Sequence, residues 1–388
     1  LEPPLSVEAL GAVRQARRAM RSEQREASSD AARPASEPAL SGDRSRRARL
    51  ATLGLAALLL ATFLAALGTG PAFLSPGKVA AILAAGPKGQ VASLADTVIV
   101  WQIRLPRVLL GALVGASLAL VGAMMQGLFR NPLADPGLIG VSSGAAFAAV
   151  ATIVLSGGAL APFAALFGLY ALPVAAFGGG LAATLVIYRV GTRAGRSSVA
   201  LILLAGIALG AFAAAGTGFL VYLSDDNQLR DLTFWSLGGL GGATWGKLWA
   251  ALPMMGAALL AAPFLARGLN GIVLGEAEAY HLGIRVQRLK RLTILTVALA
   301  TGAAVAVSGT IGFVGIVVPH LLRLGFGPDH RTLLPNAALG GAILLLLADM
   351  VARTLVAPAE LPIGILTAAI GAPVFLWILL RRRGLAGF

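Results

Sequence analysis

The sequence predicts an all-α protein that crosses a membrane ten times. Three observations carry this. Hydrophobic residues make up 57% of the 388 residues and charged residues 12%, about half the charged share of a soluble domain. Ten apolar runs reach or approach the roughly 20 residues that a spanning helix needs. Lys and Arg are unevenly shared between the loops that those runs define. With no cysteine, disulfides, Cys zinc sites, iron–sulfur clusters and thiol catalysis are excluded.

Residues 1–49 hold ten Arg and seven Asp or Glu among Ser, Pro and Ala. They read as a cytoplasmic tail with a short helix around 7–20. Arg44, Arg46, Arg47 and Arg49 abut the first apolar run. A signal peptide begins similarly, but no clean A-x-A cleavage site follows, so the run is read as a retained span. The runs are 50–67, 108–129, 138–155, 166–188, 199–222, 248–265, 292–308, 311–324, 333–351 and 361–380. The eighth has 14 residues and contains Pro319. With the N-terminus inside and ten crossings, 24 of the 31 Lys and Arg face inward. The seven outward ones are Lys78, Lys88, Arg104, Arg107, Arg230, Lys247 and Arg353. Without the eighth crossing, Arg381, Arg382 and Arg383 would face outward. Ten crossings with both ends cytoplasmic therefore fit the positive-inside rule better. The same asymmetry explains the net charge of +14, so the bilayer and not nucleic acid is the expected partner. Residues 384–388 are the cytoplasmic C-terminal end.

Glycine is abundant, 49 of 388, which suits helices in close contact within lipid. Gly111-x3-Gly115 and Gly206-x3-Gly210 fit such contacts. A faint repeat at an offset of 187 residues aligns Gly115, Ala116, Ala119, Gly122 and Pro132 with Gly302, Ala303, Ala306, Gly309 and Pro319. The two segments run in opposite directions in this topology, the inverted arrangement of many transporters. Trp101, Trp235, Trp245 and Trp249 fall near the outer boundary and read as interface anchors.

Ionisable groups are scarce in the spans. Asp349 is the one carboxylate, and Arg353, four residues on, can pair with it on one helix face. His281, His320 and His330 lie at or near inner loops without metal-ligand spacing. A proton-coupled transporter usually needs a midplane carboxylate or His. A membrane hydrolase needs paired Asp, a zinc site or a Ser with a base. A passive pathway powered from elsewhere fits better, although an ion-coupled transporter and a membrane-embedded enzyme remain alternatives. Gly241-x4-Gly246-Lys247 imitates a phosphate loop, but Leu248 follows where Mg²⁺ binding needs Ser or Thr.

Several loops carry a resemblance. Arg104-Leu105-Pro106-Arg107 opens span two, and Gln126-Gly127-Leu128-Phe129-Arg130-Asn131-Pro132-Leu133-Ala134-Asp135-Pro136-Gly137 closes it. Leu274-Gly275-Glu276-Ala277-Glu278-Ala279-Tyr280-His281-Leu282-Gly283 lies in the large inner loop. Gly312-Phe313-Val314-Gly315-Ile316-Val317-Val318-Pro319-His320 marks span eight. Glu360-Leu361-Pro362-Ile363-Gly364 and Gly371-Ala372-Pro373-Val374-Phe375 mark span ten. Together they resemble the permease subunit of type II ATP-binding-cassette importers for iron chelates, heme and cobalamin, over residues 50–383.

The resemblance implies a homodimer of ten-helix, inverted-repeat subunits in the bacterial inner membrane. Two cytoplasmic ATPase subunits bind below, and a periplasmic binding protein docks above. The permease would not itself be an enzyme. It would hold no resident cofactor, and the partner subunits would use the ATP. Leu274, Gly275, Glu276, Ala279, Leu282 and Gly283 would contact the ATPase. Arg104, Arg107 and Arg353 would meet acidic residues of the binding protein. The segment 222–230 resembles hemin permeases, making heme the expected cargo, with a ferric siderophore or cobalamin as the alternative. Span five would line the path, with Met124, Met125 and Tyr222 as side chains able to meet heme. Methionine in an apolar helix is more often packing, however.

Overall fold

A computed structural model describes residues 41–383 except 90, 133, 138, 139, 194, 195, 198 and 358. The expected tail helix around 7–20 and the end at 384–388 lie outside the described residues. The described residues from Ala48 to Arg383 form one packed unit.

Among the described residues the chain is helical nearly throughout. Helix α1 spans Ser41–Gly68, and α2 spans Pro76–Ala85. Helix α3, Leu94–Val98, continues through a π-helical turn at Ile99–Arg104 into α4, Leu105–Leu128. Then come α5 (Val141–Leu155), α6 (Ala161–Phe167) and, after a 3₁₀ turn, α7 (Ala171–Gly191). The two-residue strands β1 (Thr192–Arg193) and β2 (Arg196–Ser197) pair antiparallel. Helices α8 (Val199–Tyr222), α9 (Asp226–Ser236), α10 (Trp245–Leu274), α11 (Glu276–His281) and α12 (Val286–Ser308) follow. The last are α13 (Val314–Phe326), α14 (His330–Thr354) and α15 (Ile363–Arg383).

Local sequence explains many of the helix starts. Ser75 caps α2, with Pro76 at the first position. Asp225 and Gln228 form a reciprocal capping box on α9. Thr244 caps α10 and Asp329 caps α14. Pro253, Pro263 and Pro335 lie inside helices, which membrane helices tolerate when neighbours re-satisfy the backbone.

Every expected span coincides with a helix. Seven are long and apolar enough to cross by themselves: α1, α3–α4, α6–α7, α8, α10, α12 and α14. The other three are α5, α13 and α15. Helix α5 has 15 residues and α13 has 13, so they rise about 20–23 Å against a hydrocarbon core of about 30 Å. Span two begins at Leu94, not at 108, because Trp101 to Arg107 continue the helix despite their polar members.

The centre of the unit is α4. The most apolar stretch of α3–α4 is 83% buried, against 17% for α1 and for α8. Helix α4 packs on α14, α10, α12 and α13, while α12 packs on α7, α10 and α5. The neighbours of the two aligned segments correspond. Span two lies on spans nine and eight, and span seven lies on spans four and three. Gly115 of α4 and Gly302 of α12 are the aligned small residues. A Cβ at Gly115 would overlap the Gly341 carbonyl oxygen of α14, and one at Gly302 would collide with the Phe177 backbone of α7. Both positions need glycine for the helix backbones to approach this closely.

Candidate functional site

Helices α4, α10 and α14 run between two ends of the unit. At one end, Trp245 Nε1 donates to the Trp101 carbonyl at 3.0 Å, and Trp245 stacks on Trp249. At the other, Asn270 Oδ1 accepts from the His330 backbone N–H at 2.9 Å. The 24 residues of α4 separate the ends by about 36 Å.

The first end holds the three arginines expected to dock a partner. The structure brings them together, each already engaged by groups of this chain. Arg107 is 6% exposed, and its Nε and Nη2 donate to Asp349 Oδ1 at 3.0 and 2.8 Å. Its Nη1 donates to both oxygens of Glu360, at 2.7 and 2.9 Å. Arg353 lies 3.0 Å from Asp349 Oδ2 and donates to the carbonyls of Thr69 and Ala66. Arg104 donates to the carbonyls of Leu67, Gly68 and Ala72. Asp349 is fully buried, whereas the Glu360 side chain is 40% exposed. The expected Asp349–Arg353 pair is present. Its extension to Arg107 and Glu360 was missed, because those residues are far apart in sequence.

Between the ends lies a cavity of about 580 Å³, bounded by α4, α5, α8 and the segments 135–137 and 309–312. Its polar lining comes from Asp135, Ser142, Ser143, Thr217 and Thr310. The first turns of the two short helices α5 and α13 both reach it, through Ser142 and Gly315. These are spans three and eight. Helix N-termini favour a negative charge. Asp135 supplies one: its Oδ1 accepts from the Gly137 N–H at 2.7 Å, and its Oδ2 borders Gly315. Helix α8, span five, lines this cavity through Gly210, Ala213, Ala214, Thr217 and Gly218. Met124 and Met125 do not. Both are fully buried in the main apolar core, so they are packing residues. Tyr222 is exposed at the end of α8, outside this lining.

At the second end, the Leu274–Gly283 segment folds as the short surface helix α11. Gly275 and Gly283 bracket it at φ 135 and 78, backbone that glycine adopts most readily. Glu276 lies in its first turn and pairs with Lys290 at 2.7 Å. Leu274 and Leu282 are exposed, and Tyr280 is 74% exposed. Ala279 is the correction: it is fully buried, and its carbonyl accepts from the Ile284 N–H at 3.0 Å. It holds α11 in place and offers no surface. Tyr280, Arg285 and Arg288 line a groove of about 440 Å³ beside α11. Just before α11, Asn270 Nδ2 donates to Asp329 Oδ1 at 2.6 Å, tying α10 to the cap of α14.

The FecCD transport family matches residues 58–381. The chain is 52% identical over 285 residues to the hemin transport system permease protein HmuU of Yersinia pestis, covering 73% of this chain and 84% of that protein. It is 42% identical over 339 residues to the vitamin B12 import system permease protein BtuC of Klebsiella pneumoniae, covering 87% and 96%. Among solved structures, a metal-chelate type ABC transporter in an inward-facing conformation matches with a TM-score of 0.72 and 34% identity. That match covers 85% of this chain and 98% of the other.

Proposed function

The chain belongs to the FecCD transport family and is the permease of a metal-chelate type ABC importer; from that premise we propose that it imports heme. The observation that carries the substrate is its likeness to a hemin permease, higher in identity than its likeness to the vitamin B12 permease. Heme is flat and largely apolar, and it needs a path without a strong polar trap. The Gly- and Ala-rich face of α8 gives the cavity an apolar wall, beside the polar groups of Asp135, Ser142 and Ser143.

In this reading two copies of the chain enclose the path, and both termini are cytoplasmic in the bacterial inner membrane. Two ATPase subunits hydrolyse ATP and grip α11 and its flanks through Leu274, Tyr280 and Leu282. A periplasmic heme-binding protein docks at the end that holds Arg107, where Arg104 and Arg353 give the site its positive character. The chain itself has no ATPase activity and holds no resident cofactor.

Reconstitution tests this. Liposomes carrying the permease, with the ATPase inside and the heme-binding protein outside, should take up heme only with ATP. Likeness to the vitamin B12 permease over most of both chains favours cobalamin as the second reading. Uptake of vitamin B12 or a ferric siderophore without heme uptake would overturn the substrate assignment.

A further inference from the structure

We propose that Glu360 occupies the docking position on Arg107, so that a carboxylate of the arriving periplasmic protein must displace it. This rests on the docking role proposed above for that end of the molecule.

Arg107 divides its donors between two carboxylates of unlike character. Asp349 takes Nε and Nη2 and is fully buried, so no incoming group can reach it. Glu360 takes Nη1 alone, with both oxygens, and its side chain is 40% exposed. It stands on the connection between α14 and α15, where the Leu361 N–H donates to the Ala352 carbonyl at 3.1 Å. The backbone is thus anchored one residue away, and the side chain need only rotate to release Arg107. Its Oε2 lies over Gly241, where a Cβ would stand 2.9 Å away. The absence of a side chain at Gly241 is what leaves the carboxylate this room.

Charge makes the exchange favourable. The cluster holds three guanidinium groups against Asp349 and Glu360, and Arg104 is held by backbone carbonyls alone among the contacts described. One positive charge is in excess while Glu360 is in place, and two when it swings out. An acidic side chain from a partner protein can then accept from Arg107 Nη1 in the same bidentate manner. Glu360 therefore sets both the strength of docking and its preference for a carboxylate.

The test uses the full permease–ATPase complex in nanodiscs and the heme-loaded periplasmic protein, with association read by surface plasmon resonance. Glu360→Gln keeps the shape and removes the charge. It should tighten binding by about fivefold, the size expected for losing one competing half-exposed ion pair. Arg107→Gln should weaken binding. Unchanged or weaker binding by Glu360→Gln overturns the proposal, since Glu360 would then be structural or itself a partner contact. If Arg107→Gln weakens binding while Glu360→Gln does not tighten it, the docking role stands and the displacement fails. If neither variant alters binding, both fail. Retained ATPase co-purification shows that Glu360→Gln is folded, and its result decides the proposal even if Arg107→Gln does not assemble.

Discussion

Asp349 is the residue on which the arginine end depends. It is fully buried and answers both Arg107 and Arg353. Removing one partner of a buried ion pair leaves a charge without compensation, which costs about 3–5 kcal/mol. Asp349→Asn is therefore expected to lower unfolding stability by about 3 kcal/mol, read by thermal melting in detergent. A shift no larger than that of a surface substitution would show that the cluster is not structural. Asp329 offers a milder case at the other end. Burial pushes its carboxyl up, but hydrogen bonds from the Arg331 N–H and the Asn270 amide outweigh this and hold it below the ordinary 3.8. A depressed carboxyl stabilises the fold above the unfolded value, and that contribution is lost as pH falls through the folded one. Asp329→Ala should cost about 1 kcal/mol, as loss of a helix cap does. That difference should vanish in melts taken well below pH 3.8.

Helix α11 shows how an element can hold anchoring and contact residues side by side. Ala279 faces inward and Tyr280 outward. Tyr280→Asp should weaken attachment of the ATPase by roughly tenfold, the loss of one well-placed aromatic contact, while melting stays unchanged. Ala279→Arg should instead disrupt α11 itself, lowering stability as well as attachment. Co-purification with the ATPase, set beside melting curves, separates the two. Equal attachment by wild type and Tyr280→Asp would remove α11 from the interface. Helices α4 and α14 make the matching point within the core. Gly115→Leu would drive a side chain into the Gly341 backbone. Overpacking of this kind costs about 1–3 kcal/mol or more, so the variant should reach the membrane in reduced amount.

At the scale of the whole molecule, the orientation proposed above rests on the charge of the loops. It would put α9 in the periplasm and α11 in the cytoplasm. The sequence has no cysteine, so introduced ones are read against no background. An impermeant maleimide applied to intact spheroplasts should label Asp226→Cys and leave Tyr280→Cys unlabelled until the membrane is opened. The reverse pattern would invert the topology.

All ten spans were legible in the sequence, because burial in lipid depends on local apolar content, which sums along a short window. The spacing of Asp349 and Arg353 gave their pairing. Asp225-x-x-Gln228 was a readable sign of α9, although the segment was read only for its resemblance. Other features depended on helix register, which no window contains. Arg107 meets Asp349 and Glu360 across 242 and 253 residues. Span two looked to start 14 residues later than its helix does because Arg104 and Arg107 break the apolar run; their charges are met by distant carbonyls and carboxylates. Met124 and Met125 looked available for a path, yet α4 is surrounded by other helices and both are enclosed. The sequence by itself determined which segments enter the membrane and which family they belong to. Only the tertiary structure decided which charges face one another, because contacts between helices are set by how α4, α10 and α14 pack and not by their neighbours in the chain.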